Sequence, residues 1–256
     1  MFDNITPVIL TLNEEANLSR TLSKLSWAKD IVIVDSYSCD STIQIATGHP
    51  NVRVFKREFD DHASQWQYAI TETNIATDWV LALDADYVLT DEFVDELGEL
   101  DSMTHNGFKT RFRYCIEGKA LRGSLYPSVT TLYKHSEARY LKEGHTQRVM
   151  VEGKIGELSS YINHDDRKPF SSWLMAQNKY SDLEAMHIVE MPWLGLRFSQ
   201  KVRLLILVAP IAVLFYCLFV RACIFDGKAG IIYSLERVIA ESILSIKVLK
   251  CWLSKK

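Results

Sequence analysis

Four short apolar runs, each closed by polar residues and followed by an amphipathic segment, constrain the first 90 residues more than any other feature. Thr6-Pro7-Val8-Ile9-Leu10-Thr11-Leu12, Ile31-Val32-Ile33-Val34, Asn51-Val52-Arg53-Val54-Phe55 and Trp79-Val80-Leu81-Ala82-Leu83 have the composition of strands. Between them, Asn13 to Leu18 opens a helix with Leu18, Leu22 and Leu25 on one side. Asp40 or Ser41 caps a helix over Thr42 to Thr47, and Asp60 or Asp61 caps one through Ala63, Trp66, Gln67 and Ile70. Strands that are apolar throughout are buried on both faces. The expected fold is therefore α/β, a Rossmann-like, mostly parallel sheet with helices on both sides.

Ligands of such sheets bind beyond the carboxyl ends of the strands. The fourth run enters Asp84-Ala85-Asp86 there. Residues i and i+2 of a strand share a face, so both carboxylates can serve one hard cation. An isolated Asp-x-Asp equally suits a solvated loop. Thr11 to Glu14, Asp35 and Arg57 fall at the same edge, however, and it is this convergence that marks a site.

Three stretches in order, Thr11-Leu12-Asn13-Glu14-Glu15, Ile33-Val34-Asp35-Ser36 through Asp40-Ser41-Thr42, and Leu83-Asp84-Ala85-Asp86, resemble those of family 2 glycosyltransferases of the GT-A fold. Phe59-Asp60-Asp61-His62-Ala63-Ser64-Gln65-Trp66 and Leu81 through Leu89 are similar to small enzymes that add a sugar to the lipopolysaccharide core or related surface polysaccharides. The resemblance implies a nucleotide-sugar donor, a UDP-sugar first of all, held by Thr11, Leu12, Asn13, Glu14, Asp35, Arg57, Gln65 and Asp84. By that likeness Asp35 accepts a hydrogen bond from base or ribose and Thr11 borders the base. Leu12 stands where relatives carry a tyrosine that stacks on uracil. Arg57, always charged, would reach the phosphates. Asp84 and Asp86 would face the ribose and a Mg²⁺ or Mn²⁺ ion bridging the diphosphate, with His164 as a late ligand.

The implied reaction inverts configuration: the metal neutralises the leaving diphosphate and a base on the opposite side takes the acceptor's proton. Glu143 and His145 are the candidates for that base, in a stretch from Leu141 to Arg148 expected to be a polar loop. Gly107 to Tyr114 and Val129 to Lys134 have the pattern of further strands. Asp165 and Asp166 equally suit the cap of a helix from Phe170 to Met186.

The composition changes near Pro192. Residues 193–256 hold ten Lys and Arg against three Asp and Glu, a balance of +7, which leaves −10 for residues 1–192 in a chain of net charge −3. The expected division is a catalytic domain over 1–192 and a basic, apolar helical membrane-association region over 193–256. Leu204 to Val220 carries no charge, and its 17 residues would extend ~25 Å as a helix, the lower limit for a hydrocarbon core. Pro210 invites a kink, so a shallow or re-entrant helix pair is expected ahead of a straight span or a buried core helix. Ile231 to Trp252 resumes as a helix suited to lie along an interface.

Basic residues flanking apolar segments are drawn to anionic lipid on the cytoplasmic side. The expected location is thus the cytoplasmic face of the inner (plasma) membrane, peripheral, monotopic or with one membrane-embedded helical segment. Met1 is followed at once by acidic and polar residues, which is not a secretory signal. Five cysteines without paired spacing imply neither a disulfide framework nor zinc. The expected partners are the donor, a glycolipid or saccharide acceptor and anionic lipid, with no nucleic acid. A non-catalytic membrane-bound scaffold with a degenerate nucleotide-sugar fold accounts for the same residues and stays open at this point.

Overall fold

The computed structural model describes residues 1–100, 104–143 and 146–254, apart from the side chains of 142–148. The chain forms two compact units, residues 1–114 with 126–167 and residues 115–125 with 168–256. The first holds β1 (Ile5–Thr11), α1 (Leu18–Ser23), β2 (Ile31–Asp35), α2 (Thr42–Thr47), β3 (Val52–Lys56), α3 (His62–Thr71), β4 (Trp79–Asp84), β5 (Tyr87–Leu89), α4 (Asp91–Glu99) and most of β6 (Gly107–Ile116). β7 (Lys119–Ala120) pairs with the end of β6 in the second unit. The first unit continues with β8 (Val129–Lys134), β9 (Ala138–Glu143), β10 (Thr146–Val151) and β11 (Ile155–His164).

The sheet order is β3-β2-β1-β4-β8-β6-β11-β5. The first four strands are parallel, as expected. Beyond β4 the sheet is mixed: β8 is antiparallel to β4 and β6, β11 is parallel to β6, and β5 is antiparallel to β11. Residue parity within the apolar runs sorts side chains to two cores. Ile5, Ile9, Ile31, Ile33, Leu81 and Leu83 pack with Leu18 and Leu22 of α1 and Phe93 and Leu97 of α4. Val8, Val32, Val34, Val80 and Ala82 pack on the other face with Trp66, Ala69 and Ile70 of α3. Each fully buried aliphatic or aromatic side chain contributes about 1.5–3 kcal/mol.

Helix starts follow local chemistry. Asp61 caps α3, its Oδ1 accepting the Ser64 N–H at 2.9 Å. Asp61→Ala is expected to lower stability by about 1 kcal/mol, read from the urea unfolding midpoint. At α2 the side chain that takes the Thr42 N–H, at 3.0 Å, is Asp40 and not Ser41. α1 starts at Leu18 because the N–H groups of Asn17 and Leu18 both donate to the Glu14 carbonyl at 2.9 Å, closing a tight turn before the helix.

Residues 141–148, expected as a loop, belong largely to an antiparallel hairpin of β9 and β10. Tyr140, Val149 and Val151 turn inward to the α3 core, and the Tyr140 ring stacks on Trp66 at 5.6 Å. The outward side chains Arg139, Leu141 and Met150 mix charged with apolar residues, which hides the strand alternation.

The second unit holds α5 (Phe170–Glu190), α6 (Phe198–Arg203), α7 (Val208–Phe215) and α8 (Lys228–Ser254), with a core of Ala185 and Ile188 from α5, Leu244 and Val248 from α8, and Leu196 between α5 and α6. Arg203 lies between Glu184 at 2.9 Å and Glu241 at 2.8 Å. α5 starts after Pro169 without a side-chain cap, so Asp165 and Asp166 do not cap it. The apolar segment 204–220 is not one helix. Ile206 has φ of +40°, unusual for a β-branched residue, and turns the chain between α6 and α7. Its carbonyl accepts the Ser245 hydroxyl at 2.9 Å. Among the described residues no helix is long and apolar enough to cross a membrane.

Candidate active site

Register places the acids. Thr11 pairs with Asp35 and Leu10 with Asp84, so the two aspartates flank the carboxyl end of β1. Asp35 is fully buried. Its Oδ2 accepts the Thr11 hydroxyl at 2.8 Å and the Ser38 hydroxyl, and its Oδ1 accepts the Ser38 N–H at 2.8 Å. Asn13 takes a left-handed backbone, φ +53°, which asparagine tolerates. Its N–H donates to Ser38 Oγ at 2.8 Å and its Oδ1 accepts the Cys39 N–H at 2.9 Å. These bonds lace together the loops after β1 and β2, leaving Leu12 exposed beside them.

A second group gathers around Asp86. The buried Asn17 amide donates to Glu14 Oε2 and to Asp166 Oδ1, each at 2.9 Å. Thr21 of α1 donates to the Ala85 carbonyl at 2.7 Å, fixing the backbone between Asp84 and Asp86. The Asp165 N–H donates to the Asp86 carbonyl at 3.0 Å. His164 Nε2 lies 3.2 Å from Asp86 Oδ2. The imidazole is ringed by Tyr126 at 4.7 Å, Tyr114 at 4.9 Å and Tyr87 at 5.6 Å, with Tyr87 and Tyr126 joined by a 2.6 Å hydroxyl contact.

The electrostatics are those of a buried acidic cluster. Burial, and then the charges of Asp84, Asp166 and Glu14, push the Asp86 carboxyl well above the usual carboxylate range. Burial pushes His164 down, against the opposing pull of Asp84, Asp166 and Asp165. A neutral His164 donates through Nε2 and presents a lone pair at Nδ1. That Nδ1 and Asp86 Oδ1 are both sealed from solvent without a hydrogen-bond partner.

One atom here fits a hard divalent cation, the orphaned Oδ1 of Asp86 among the charges of Asp84, Asp166 and Glu14, whereas His164 Nδ1 points away from Asp86 because Nε2 faces it. Among the described residues no three His, Cys, Asp or Glu side chains form a ready metal-holding group. A cation that takes one or two carboxylates and completes its shell with phosphate oxygens and water needs no such cage.

Arg57 is turned elsewhere. Its guanidinium grips Asp60 through two 2.8 Å bonds and also donates to the Gln65 side-chain oxygen. Gln65, fully buried, donates in turn to Ser36 Oγ at 3.1 Å, so both residues tie the loop after β2 to the loop after β3. Glu143 ends β9, and its side chain, like the whole of His145, lies outside the described residues.

Sequence reasoning missed Asn17, Thr21 and the tyrosine ring. Asn17, three residues past Glu14 at a helix start, offered a local signal. Tyr114 and Tyr126 did not, Tyr114 because its place beside His164 depends on pairing between the distant strands β6 and β11, and Tyr126 because it lies outside every strand.

The family model described as Glycosyl transferase family 2 matches residues 6–144. An uncharacterised glycosyltransferase of Rickettsia typhi is 33% identical over 103 residues, 40% of this chain and 34% of that protein. The chain thus spans about a third of the length of such relatives. The lipopolysaccharide core biosynthesis glycosyltransferase LpsC of Rhizobium meliloti is 26% identical over 201 residues, 73% of this chain and 72% of that one. The crystal structure of S. aureus TarS 1-349 aligns with TM-score 0.48 and 14% identity, covering 98% of this chain and 92% of that one.

Proposed function

Because the chain belongs to glycosyl transferase family 2, we propose that it transfers a sugar, with inversion, from a nucleotide diphosphate donor to a membrane-held glycolipid or polysaccharide precursor. Mg²⁺ or Mn²⁺ would be held by Asp84 and Asp86, with His164 beside them. The observation that carries this reading is the orphaned, shielded Oδ1 of Asp86 among three other carboxylates, Asp84, Asp166 and Glu14. The likeness to a lipopolysaccharide core enzyme supports the acceptor class.

When bound, the cation would neutralise charge on the leaving diphosphate. The chain's own residues prepare for it. His164 engages Asp86 Oδ2 and so aims Oδ1 at the ligand, while Tyr87, Tyr114 and Tyr126 keep water from the imidazole. Thr21 holds the Asp84-Ala85-Asp86 backbone in place. Asp35 acts from beneath the donor, fixing Thr11 and Ser38 as the wall against base and ribose. Arg57 and Gln65 brace the neighbouring loops. Glu143 or His145 takes the acceptor's proton. The exposed apolar and basic surface of α6 to α8 supports a peripheral position on the cytoplasmic face of the inner membrane, against anionic lipid.

Calorimetry with UDP, with and without Mn²⁺, separates this reading from a non-catalytic scaffold. UDP binding is expected only with Mn²⁺, and Asp84→Asn is expected to weaken it by more than about tenfold, ~1.4 kcal/mol. A folded wild-type chain that binds no UDP under either condition would be the scaffold.

A further inference from the structure

Leu12 and Tyr37, both large and largely apolar, are 48% and 57% exposed at the carboxyl edge of the sheet. The loops that carry them are tied together on either side of these two residues. The Ser36 N–H donates to the Thr11 carbonyl at 2.9 Å, and two residues further along each loop the Asn13 N–H donates to Ser38 Oγ at 2.8 Å. The Cys39 N–H strengthens the second tie by donating to Asn13 Oδ1 at 2.9 Å. Leu12 and Tyr37 are the residues left between the ties, so the backbone holds them as neighbours.

Tyr37 has φ of +62°, a left-handed conformation that suits glycine or asparagine and is rare for a bulky side chain. Its flanks keep it there: the Ser36 N–H bonds to Thr11, and the Ser38 N–H donates to Asp35 Oδ1 at 2.8 Å. Packing does not account for a tyrosine at this place. Its carbonyl accepts the Cys39 thiol at 3.6 Å, but its ring and hydroxyl engage no hydrogen-bond, cation or ring partner among the described residues. A strained, exposed residue fixed by its surroundings points to a binding role.

Position identifies what covers the ring. β1 lies between β2 and β4, so Tyr37, two residues beyond β2, stands two strand spacings, ~10 Å, from Asp84 at the end of β4. That is the reach of a nucleoside diphosphate from its phosphates to its base. The transferred sugar, attached at the other end of the diphosphate, would lie on the far side of the cation. A base offers a flat π-face that stacks on a tyrosine ring whatever its hydrogen-bonding edge.

We propose that Tyr37, with Leu12 beside it, is the stacking platform for the nucleobase of the donor and a determinant of donor affinity. The platform rests on the nucleotide-donor reading given above.

The test measures binding of UDP and of inorganic pyrophosphate, each with Mn²⁺, to the full chain by calorimetry. Pyrophosphate carries the metal-binding part of the donor without a base. Tyr37→Gly and Tyr37→Leu are expected to weaken UDP at least about tenfold, ~1.4 kcal/mol, while binding pyrophosphate like wild type. Tyr37→Phe, which keeps the ring, is expected to bind both like wild type. Tyr37→Gly is also expected to raise the melting temperature, because glycine takes a positive φ without steric cost. Equal UDP binding by wild type, Tyr37→Gly and Tyr37→Leu overturns the platform and leaves the donor reading in place. Parallel loss of UDP and pyrophosphate, with a lower melting temperature, makes Tyr37 a support of its loop and overturns the platform as well. A folded wild type that binds pyrophosphate but not UDP, or neither, fails at the donor reading itself, and the platform falls with it.

Discussion

Asp86→Asn is expected to lower transfer by on the order of 10³ while raising the melting temperature of the metal-free protein. Both effects come from the same carboxylate. Burial and the charges of Asp84, Asp166 and Glu14 raise its folded-state pKa, so its ionised form is disfavoured in the fold relative to the unfolded chain. For a carboxyl shifted in this direction, the favourable contribution is full below the unfolded pKa and disappears as pH rises through the folded one. At neutral pH the charge is therefore a cost to stability, and a neutral amide removes it. The melting-temperature advantage of the variant should be clear at pH 7 without metal, each kcal/mol being worth about 2–4 °C in a chain of this size. It should narrow as pH falls toward the carboxylate range, and narrow again when Mn²⁺ is added to wild type. Differential scanning fluorimetry across pH, beside initial rates of sugar transfer, reads both halves. A variant that loses stability together with activity would make Asp86 a structural support and remove the case for a cation there.

The Asp84-Ala85-Asp86 end of β4 was legible because its signal is local: a continuous apolar run stopping at paired acids. The parallel strands were legible for the same reason, and Val129–Lys134 is a strand over the expected residues. What joins those acids was not. Asp166 reaches Glu14 and Asp86 only because β11 pairs with β6 on one side and β5 on the other, a long-range register with no trace in the residues around 166. Arg57 donates two charge-assisted bonds to an aspartate three residues on, a local pairing that the sequence around it carries in plain view. The hairpin at 138–151 was obscured because apolar residues stand on both of its faces, Leu141 and Met150 exposed on the outer one and Ala138, Tyr140, Val149 and Val151 on the inner one. In the tail, the charge imbalance could be counted directly. The break at Ile206 could not be foreseen, because a β-branched residue is among the least suited to a left-handed turn and gives no warning of one.

Combined replacement of Leu194, Phe198 and Leu207 by glutamine is expected to release the protein from lipid vesicles. These side chains are 93%, 82% and 81% exposed, far beyond what aliphatic and aromatic residues of this size usually show. Insertion of each into acyl chains would contribute about 1.5–3 kcal/mol, so losing three should lower partitioning by more than about a thousandfold. Arg197 and Lys228 add attraction to anionic headgroups of ~1 kcal/mol each, a contribution that salt screens and the apolar one does not. Wild type should accordingly remain on phosphatidylglycerol-containing vesicles in high salt, while the triple variant should bind weakly in low salt and detach when salt is raised. Point substitutions are preferable to removing residues 193–256, because the segment 115–125 is stitched to that region. Leu125 N–H donates to Tyr233, Lys119 to the Asp226 carbonyl, and Cys223 Sγ to the Gly123 carbonyl at 3.0 Å. A truncated chain would leave those partners unsatisfied and confuse misfolding with release. Co-sedimentation of the folded triple variant with vesicles at wild-type levels in high salt would show that this apolar surface serves something other than a membrane.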